Sequence, residues 1–114
     1  MTIKLLTLKG SDKPDKKYMA TFLISTEGGI KIKKTIHFGS KGMRDFTLIN
    51  DKSSKWYLPK VLDRNVVKDS YLRRHEKNED WNSPITAGAL SRWILWDKKT
   101  LASSLKAFKK RFKI

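Results

Sequence analysis

The sequence predicts an α+β fold in which a small N-terminal antiparallel sheet packs against C-terminal helices. Three observations favour this class. Apolar and polar residues alternate through the first third, Glu27-Gly28-Gly29 forms a turn signal between alternating segments, and apolar residues recur at helical spacing near the end. A chain of 114 residues is the size of one domain. We expect a single domain over residues 1–114, with a β-meander over 1–38 and a mainly helical part with loops over 39–114.

Three segments of the first third are predicted to be strands. Thr2–Leu8 is mostly apolar, and Tyr18–Ser25 is rich in β-branched and aromatic residues. Ile30–Phe38 alternates apolar residues with lysine, threonine and histidine, which predicts a half-buried strand with a basic outer side. Lys34 departs from this alternation, so we expect it near an edge of the sheet.

The middle of the chain is predicted to be less regular. Residues 39–45 form a glycine-punctuated loop, and residues 46–49 are a short apolar run. Residues 52–75 are expected to be helical in part, with Pro59 marking a start or a break. The buried stripe of this helix is predicted to contain Val66, Tyr71 and Leu72.

Two further helices are predicted in the last third. After a polar loop over residues 76–84, one helix begins near Thr86 and continues through Trp96. The other has one apolar stripe, because its large apolar residues are spaced by four, three and four positions. That stripe contains Leu101, Leu105, Phe108 and Phe112.

Composition excludes several classes of protein. The chain has no cysteine, so disulfides, thiolate metal sites and cysteine nucleophiles are excluded. A hydrophobic content of 39 % is too high for a disordered basic tail. No apolar run approaches the roughly 18 residues that span a bilayer, and no cleavable leader is recognisable. We therefore expect an intracellular protein that is not secreted and has no transmembrane segment.

Positive charge is the strongest functional signal in the sequence. The chain has 26 Lys+Arg against 11 Asp+Glu, a formal net charge of +15. The excess is uneven, since residues 76–97 are slightly acidic and residues 98–114 contain no acid at all. Such charge predicts contacts with nucleic-acid phosphates. The candidate binding residues are Lys31, Lys33, Lys41, Arg44, Arg73, Arg74, Lys106, Lys109, Lys110, Arg111 and Lys113.

The kind of basic residue qualifies this prediction. Lysine greatly outnumbers arginine, and arginine is the residue that reads base edges with two hydrogen bonds. The composition therefore favours contact with the phosphate backbone over sequence reading. The alternative is that the lysine excess reflects compositional bias alone.

No catalytic constellation is evident. His37 and His75 lie far apart without other metal ligands nearby, and the spacing in Gly39-Ser40-Lys41-Gly42 is not that of a P-loop. The carboxylates that two-metal phosphoryl chemistry would need are scattered along the chain. These are Asp45, Asp51, Glu76, Glu79 and Asp80. We predict no enzymatic activity, no cofactor and no metal site. A nuclease is the weakest of three functional hypotheses, and the other two are given below.

The aromatic residues divide into two groups. Trp93 and Trp96 lie in an apolar helix and are predicted to be core residues. Trp56, Tyr57 and Trp81 lie in polar surroundings, where packing beneath a loop is favoured over stacking on bases or anchoring a protein interface.

An ordered series of short motifs occurs between residues 37 and 96. The series is His37-Phe38-Gly39-Ser40-Lys41-Gly42, Asp45-Phe46-Thr47, Tyr71-Leu72-x-Arg74-His75, Glu79-Asp80-Trp81-x-x-Pro84 and Thr86-Ala87-Gly88-Ala89-Leu90-Ser91-Arg92-Trp93-Ile94-Leu95-Trp96. Over roughly residues 18–112 the chain resembles a family of short basic proteins encoded by large eukaryotic DNA viruses, such as chlorella-virus and mimivirus relatives. The interval over residues 50–70 is longer here. The resemblance implies a viral origin and supplies no catalytic residues.

Together these observations lead to two principal hypotheses. The first is a non-enzymatic protein that binds the nucleic-acid backbone, with DNA as the expected partner, during packaging or compaction of a viral genome. The second is a virion structural protein, a minor capsid or internal component, that docks onto acidic protein partners or a membrane surface. Either would place the protein in the virion or in the cytoplasm or nucleus of an infected cell. Its oligomeric state stays open.

Overall fold

The computed structural model describes residues 2–114, and Met1 lies outside them. An antiparallel three-stranded sheet comes first and helices follow, so the predicted α+β class is confirmed. The strands are β1 (Thr2–Gly10), β2 (Lys16–Ser25) and β3 (Lys31–Ser40), and the helices are α1 (Phe46–Ile49), α2 (Val61–His75), α3 (Ala87–Leu90) and α4 (Leu101–Phe112). A π-helical turn, Ser91–Leu95, continues α3 directly.

The two faces of the sheet differ sharply in burial. The inner face of the sheet, turned toward the helices, contains the buried side chains of Leu5, Ala20, Phe22 and Phe38. The register places Leu5 opposite Phe22 and Tyr18 opposite Phe38. The opposite side, called here the outer face, carries the alternate residues of each strand. It has no buried residue on β1 or β3.

A β-bulge at Leu6 interrupts the regular alternation of β1. Leu5 pairs with Phe22 while Thr7 pairs with Thr21, so Leu6 is the extra residue. Beyond the bulge the alternation is reversed, which keeps Leu8 on the inner face although it is three residues from Leu5. The bulge also places Lys4 and Lys9 on the same face, since five residues of strict alternation would have separated them.

Lys34 is the one lysine of β3 on the inner side, opposite Phe22. It stays exposed because β3 is an edge strand. The predicted edge position of Lys34 is therefore confirmed. The turn between β2 and β3 is also as predicted: Thr26 N–H donates to the Ile30 carbonyl at 2.8 Å, and Gly29 adopts a φ of 81°.

Helix α2 begins at Val61, two residues after Pro59. The prediction that Val66 belongs to its buried stripe is wrong, because Val66 is 57 % exposed. Val67 packs against the core instead, together with Tyr71 and Leu72. Residues four apart share a helix face, whereas Val66 lies five positions before Tyr71 and is turned away from it.

The helix predicted from Thr86 begins there and changes geometry before its end. The Thr86 side chain accepts a hydrogen bond from Ala89 N–H, an N-cap that starts α3. In the π-helical turn, Trp96 N–H donates to the Ser91 carbonyl at 3.1 Å. This wider turn accompanies the burial of three consecutive side chains, Ile94, Leu95 and Trp96. Trp96 is thus a core residue as predicted, and Trp93 is half-buried against the core.

Helix α4 follows the predicted stripe. Thr100 caps its start by accepting from Ser103 N–H, and Phe108 is fully buried. Leu101, Leu105 and Phe112 are half-buried against the same core. The helix packs chiefly on the π-helical turn, which itself lies with α3 against β3. The basic side of α4 is therefore separated from the outer face of the sheet by α3 and the sheet itself.

Candidate nucleic-acid interface

The outer face of the sheet is a regular basic surface. The register aligns Lys4, Leu23 and Lys33 in one cross-strand row. A second row contains Lys9, Met19 and His37. Because neighbouring strands lie about 4.8 Å apart, the backbones at Lys4 and Lys33 are separated by roughly 10 Å across β2.

Threonine lies between these two basic rows. Thr7, Thr21 and Thr35 are aligned, and the hydroxyls of Thr21 and Thr35 are 3.0 Å apart. Lys31 continues the basic surface toward the hairpin turn, opposite Ser25. Hydroxyl groups flanked by ammonium groups suit contacts with phosphate and sugar oxygens.

No acidic residue occurs in any of the three strands. Their lysines number two in β1, two in β2 and three in β3. One carboxylate beside the outer face is that of Asp12, in the loop before β2, whose Oδ1 lies 3.9 Å from His37 Nδ1. His37 Nδ1 also lies 2.7 Å from the Ser11 hydroxyl. Among the described residues, Lys4, Lys9, Lys31 and Lys33 of the outer face have no carboxylate within ion-pair distance.

Sequence reasoning identified only half of this surface. Lys31 and Lys33 lie on it, whereas Lys4 and Lys9 were not among the predicted binding residues. Their grouping depends on the register of β1 and on the bulge at Leu6. The adjacent pair Leu5-Leu6, which breaks the apolar alternation, is the signal in the sequence that indicates the bulge.

The other predicted binding residues lie elsewhere and do not join the outer face into one surface. Lys106, Lys109 and Lys110 are exposed on α4, and Lys113 is exposed directly after its end. Lys41 and Arg44 are exposed in the loop between β3 and α1. Arg74 is exposed near the end of α2, and its neighbour Arg73 lies 3.6 Å from Asp69.

Arg111 has a structural contact that the sequence did not suggest. Its guanidinium carbon lies 3.6 Å from the centre of the Trp93 ring, and that of Arg92 lies 4.1 Å from the same ring. Arg92 also faces Trp81 at 5.3 Å. Burial, followed by the charge of Arg111, lowers the pKa of Arg92, while Asp97 opposes that shift.

The half-buried aromatic residues contact the protein itself. Trp81 donates its indole N–H to Glu79 Oε1 at 3.0 Å, and Trp56 packs against the core. Tyr57 faces the guanidinium of Arg64 at 5.9 Å. These contacts favour the packing interpretation for Trp56, Tyr57 and Trp81 over stacking on bases.

A cavity of about 640 Å³ opens between the β3–α1 loop, α2 and the π-helical turn. Arg44 and Arg74 line its sides, and His75 lies beside them. Val67, Leu95 and Trp96 supply an apolar wall. This site was not predictable from the sequence, because Arg44 and Arg74 are thirty positions apart and line one cavity only in the folded chain.

One ion pair fixes the loop beside this cavity. Lys17 Nζ lies 2.7 Å from Asp45 Oδ2 and donates to the Met43 carbonyl at 2.6 Å. Asp45 is 2 % exposed, and its Oδ1 accepts from Thr47 Oγ1 and from Leu48 N–H. Asp45 is therefore both the N-cap of α1 and the ion-pair partner of Lys17. Both of its carboxylate oxygens accept hydrogen bonds from groups of the protein.

Three stacked rings belong to residues that line the cavity. Tyr71 lies 4.2 Å from Trp96 and 4.2 Å from His75, measured between ring centres. Burial, followed by the charge of Glu79, raises the pKa of Tyr71. His75 Nδ1 lies 3.3 Å from Glu79 Oε2. Both faces of the Tyr71 ring are thus occupied, which holds His75 in place.

The carboxylates considered for metal chemistry remain dispersed. Asp45 is engaged by Lys17, and Glu79 is engaged by His75 and Trp81. Asp51 accepts hydrogen bonds from Ser53, and these lower its pKa. Over residues 2–114, no group of three or more histidine and carboxylate side chains is close enough to hold a metal ion.

The fold and these surfaces define a small α+β protein whose sheet exposes a lysine-rich face. The profile of a family of unknown function (DUF5754) matches residues 6–56, which is less than half of the chain. The match covers most of the sheet, the β3–α1 loop and α1. No curated protein and no solved structure matches the chain. Between Thr2 and Ile114, no helix has both the length and the apolar character needed to cross a bilayer.

Proposed function

We propose that the protein binds the phosphate backbone of DNA through the outer face of its sheet, without acting as an enzyme. One observation carries the proposal: the register gathers Lys4, Lys9, Lys31 and Lys33 on an uncovered face whose strands contain no acid. Each lysine that neutralises a phosphate releases condensed counterions, which drives binding independently of base sequence.

The dimensions of this face suit a duplex. Lysine side chains on β1 and β3 start roughly 10 Å apart, and the DNA major groove is about 12 Å wide between its phosphate walls. Flexible lysine stems can therefore reach phosphates on both sides of one groove. The threonine row between them offers hydroxyls to the same backbone.

The lysines of α4 have a second part in the proposal. They lie on a different side of the molecule, so a short stretch of duplex that covers the outer face does not reach them. Charges farther apart than about 8 Å are largely screened at physiological salt. The α4 lysines thus contribute general attraction, or contact a second DNA segment, as a protein that compacts DNA requires. The resemblance to viral proteins favours a role in packaging a viral genome.

The salt dependence of DNA binding tests the proposal. For a short fluorescent duplex, log Kd plotted against log salt is expected to have a steep slope between about 50 and 200 mM salt. Replacing Lys4, Lys9, Lys31 and Lys33 together by alanine should reduce this slope by about 3–4, since each phosphate contact contributes about 0.9. A matched control replaces four other exposed lysines by alanine, which changes net charge equally: Lys52, Lys60, Lys77 and Lys99.

Two outcomes would overturn the proposal. Wild-type affinity that does not change with salt would exclude binding to phosphates. An equal loss of slope in the matched control would mean that net charge alone, and not the outer face, attracts DNA. Circular dichroism of both variants verifies that the sheet is intact.

A virion structural role is the second candidate. Helix α2 exposes three apolar side chains, Val61, Leu62 and Val66, which is unusual for a helix whose opposite side already packs on the core. A protein partner that covers them would explain their exposure. Recovery of the protein with the stripped shell of purified virions, and not with the genome, would favour this role.

A further inference from the structure

We propose that the cavity between the β3–α1 loop, α2 and the π-helical turn binds a phosphomonoester, with Arg44 and Arg74 as its phosphate ligands. The group it takes is the terminal phosphate of a nucleotide, either free or at the end of a nucleic-acid strand. This site is separate from the outer face of the sheet and does not depend on the backbone contacts proposed there.

The charge of the cavity is the first argument. Lys17 and Asp45 lie on its wall and neutralise each other at 2.7 Å. Arg44 and Arg74 line the cavity and have no carboxylate within ion-pair distance among residues 2–114, so the charge of neither guanidinium is compensated by an ion pair within the protein. A phosphomonoester carries a charge near −2 at neutral pH, which matches this pair.

The chemistry of arginine is the second argument. A guanidinium presents a planar fork of donors that pairs with two oxygens of one phosphate. The molecule has few arginines, yet two of them, from distant parts of the chain, line this cavity. His75 lies beside them with one ring nitrogen on Glu79, which leaves its other nitrogen for a ligand oxygen.

The loop that carries Arg44 is fixed before any ligand arrives. Lys17 holds the Met43 carbonyl, and Lys41 N–H donates to the Asp15 carbonyl at 3.0 Å. Gly39 has a φ of 79°, and a Cβ at that position would meet Leu95 Cδ1 at 2.8 Å. The strand therefore leaves the sheet directly over the cavity wall. Fixing the loop in advance reduces the entropy lost on binding.

The size and shape of the cavity favour a nucleotide over a phosphate alone. A volume of 640 Å³ lies within the range of about 300–1,000 Å³ that is typical of small-molecule sites. The apolar wall of Val67, Leu95 and Trp96 can receive a base or sugar while the arginines hold the phosphate. A cavity suits the end of a strand, whereas a continuous backbone fits the open outer face of the sheet.

Calorimetric titration with AMP tests this site, with adenosine as the matched ligand that lacks the phosphate. AMP is expected to bind measurably and adenosine at least about tenfold more weakly. Arg44→Ala and Arg74→Ala should each weaken AMP binding about tenfold or more, since each removes a charged hydrogen-bonding group. Arg73→Ala is the matched control, because Arg73 adjoins Arg74 but pairs with Asp69. It should leave AMP affinity unchanged.

The source of the phosphate is decided with oligonucleotides that differ only in a 5′-phosphate or a 5′-hydroxyl. A preference for the phosphorylated end supports a strand terminus, and AMP binding without that preference supports a free nucleotide. Equal affinity for AMP and adenosine would overturn the proposal, as would equal losses in Arg73→Ala and Arg74→Ala. The alanine variant of the four outer-face lysines should retain AMP binding, so failure of either proposal is distinguishable from failure of the other.

Discussion

Two surfaces of the molecule carry clustered lysines, the outer face of the sheet and the exposed side of α4. The lysines of α4 are close in sequence, whereas those of the sheet come from strands that are distant in sequence. On α4, Lys106, Lys109 and Lys110 are brought together by helical periodicity alone. On the sheet, Lys4 and Lys33 are aligned through a shared partner in β2. A basic surface that depends on helical periodicity can be predicted from the sequence. A basic surface that depends on strand register can be predicted only when the pairing of the strands is known.

The difference also affects how firmly each set of charges is placed. The backbone of each strand is fixed by hydrogen bonds to its neighbour, so the spacing of the outer-face lysines is set by the sheet. The lysines of α4 depend on how the whole helix docks, and Phe108 is its main fully buried anchor. Three predictions challenge this comparison.

The largest effect is expected from the anchors beneath the two surfaces. Phe22→Ala under the sheet and Phe108→Ala under α4 should each lower the free energy of unfolding by about 3–5 kcal/mol. Both side chains belong to one core cluster, so both variants should unfold in a single transition with an unchanged denaturant slope. A separate early transition in Phe108→Ala, measured by urea titration, would mean that α4 is stabilised independently of the sheet.

A smaller effect distinguishes two neighbours on α4. Arg111→Ala should cost about 0.5–1 kcal/mol, because its guanidinium lies over the ring of Trp93. Lys110→Ala, on the exposed side, should change stability by no more than about 0.5 kcal/mol. Thermal denaturation of the two variants measures this difference directly. Equal stability of the two variants would show that the contact of Arg111 with Trp93 contributes nothing to the free energy of unfolding.

The smallest effect is expected from removing the bulge. Deleting Leu6 leaves Leu5, Thr7, Leu8 and Lys9 in strict alternation, so Lys4 and Lys9 should still share the outer face. DNA affinity should therefore stay within about twofold of wild type, since no lysine changes face. A loss of DNA affinity as large as that of the variant lacking all four outer-face lysines would contradict this prediction. It would mean that the bulge itself contacts DNA or that Lys4 and Lys9 do not share a face.

The parts of the fold that were predictable from sequence depend on short-range patterns. The meander, the turn at Gly29, the edge position of Lys34 and the stripe of α4 all follow from alternation or helical spacing. Val66 was misplaced because Tyr71 and Val67 share a face that Val66, one position earlier, does not. The choice between these adjacent valines is made by tertiary packing.

The candidate sites were less predictable for the same reason. Lys31 and Lys33 were recognisable on one strand, but their partners Lys4 and Lys9 needed the register and the bulge. Arg44 and Arg74 are both predicted binding residues, yet only the fold places them along the same cavity. The π-helical turn that supplies the cavity wall has no sequence signature of its own.

The position of β3 at the edge of the sheet has a consequence for the protein at high concentration. An edge strand presents unpaired backbone groups to which a strand from another molecule can bind, and this is a common route to aggregation. β3 carries Lys31, Lys33 and Lys34, with Lys34 on the side opposite to the other two. A second copy of β3 that approached this edge would bring ammonium groups together on both sides of the new pair. The lysines proposed to attract DNA would therefore also prevent the sheets of two molecules from joining.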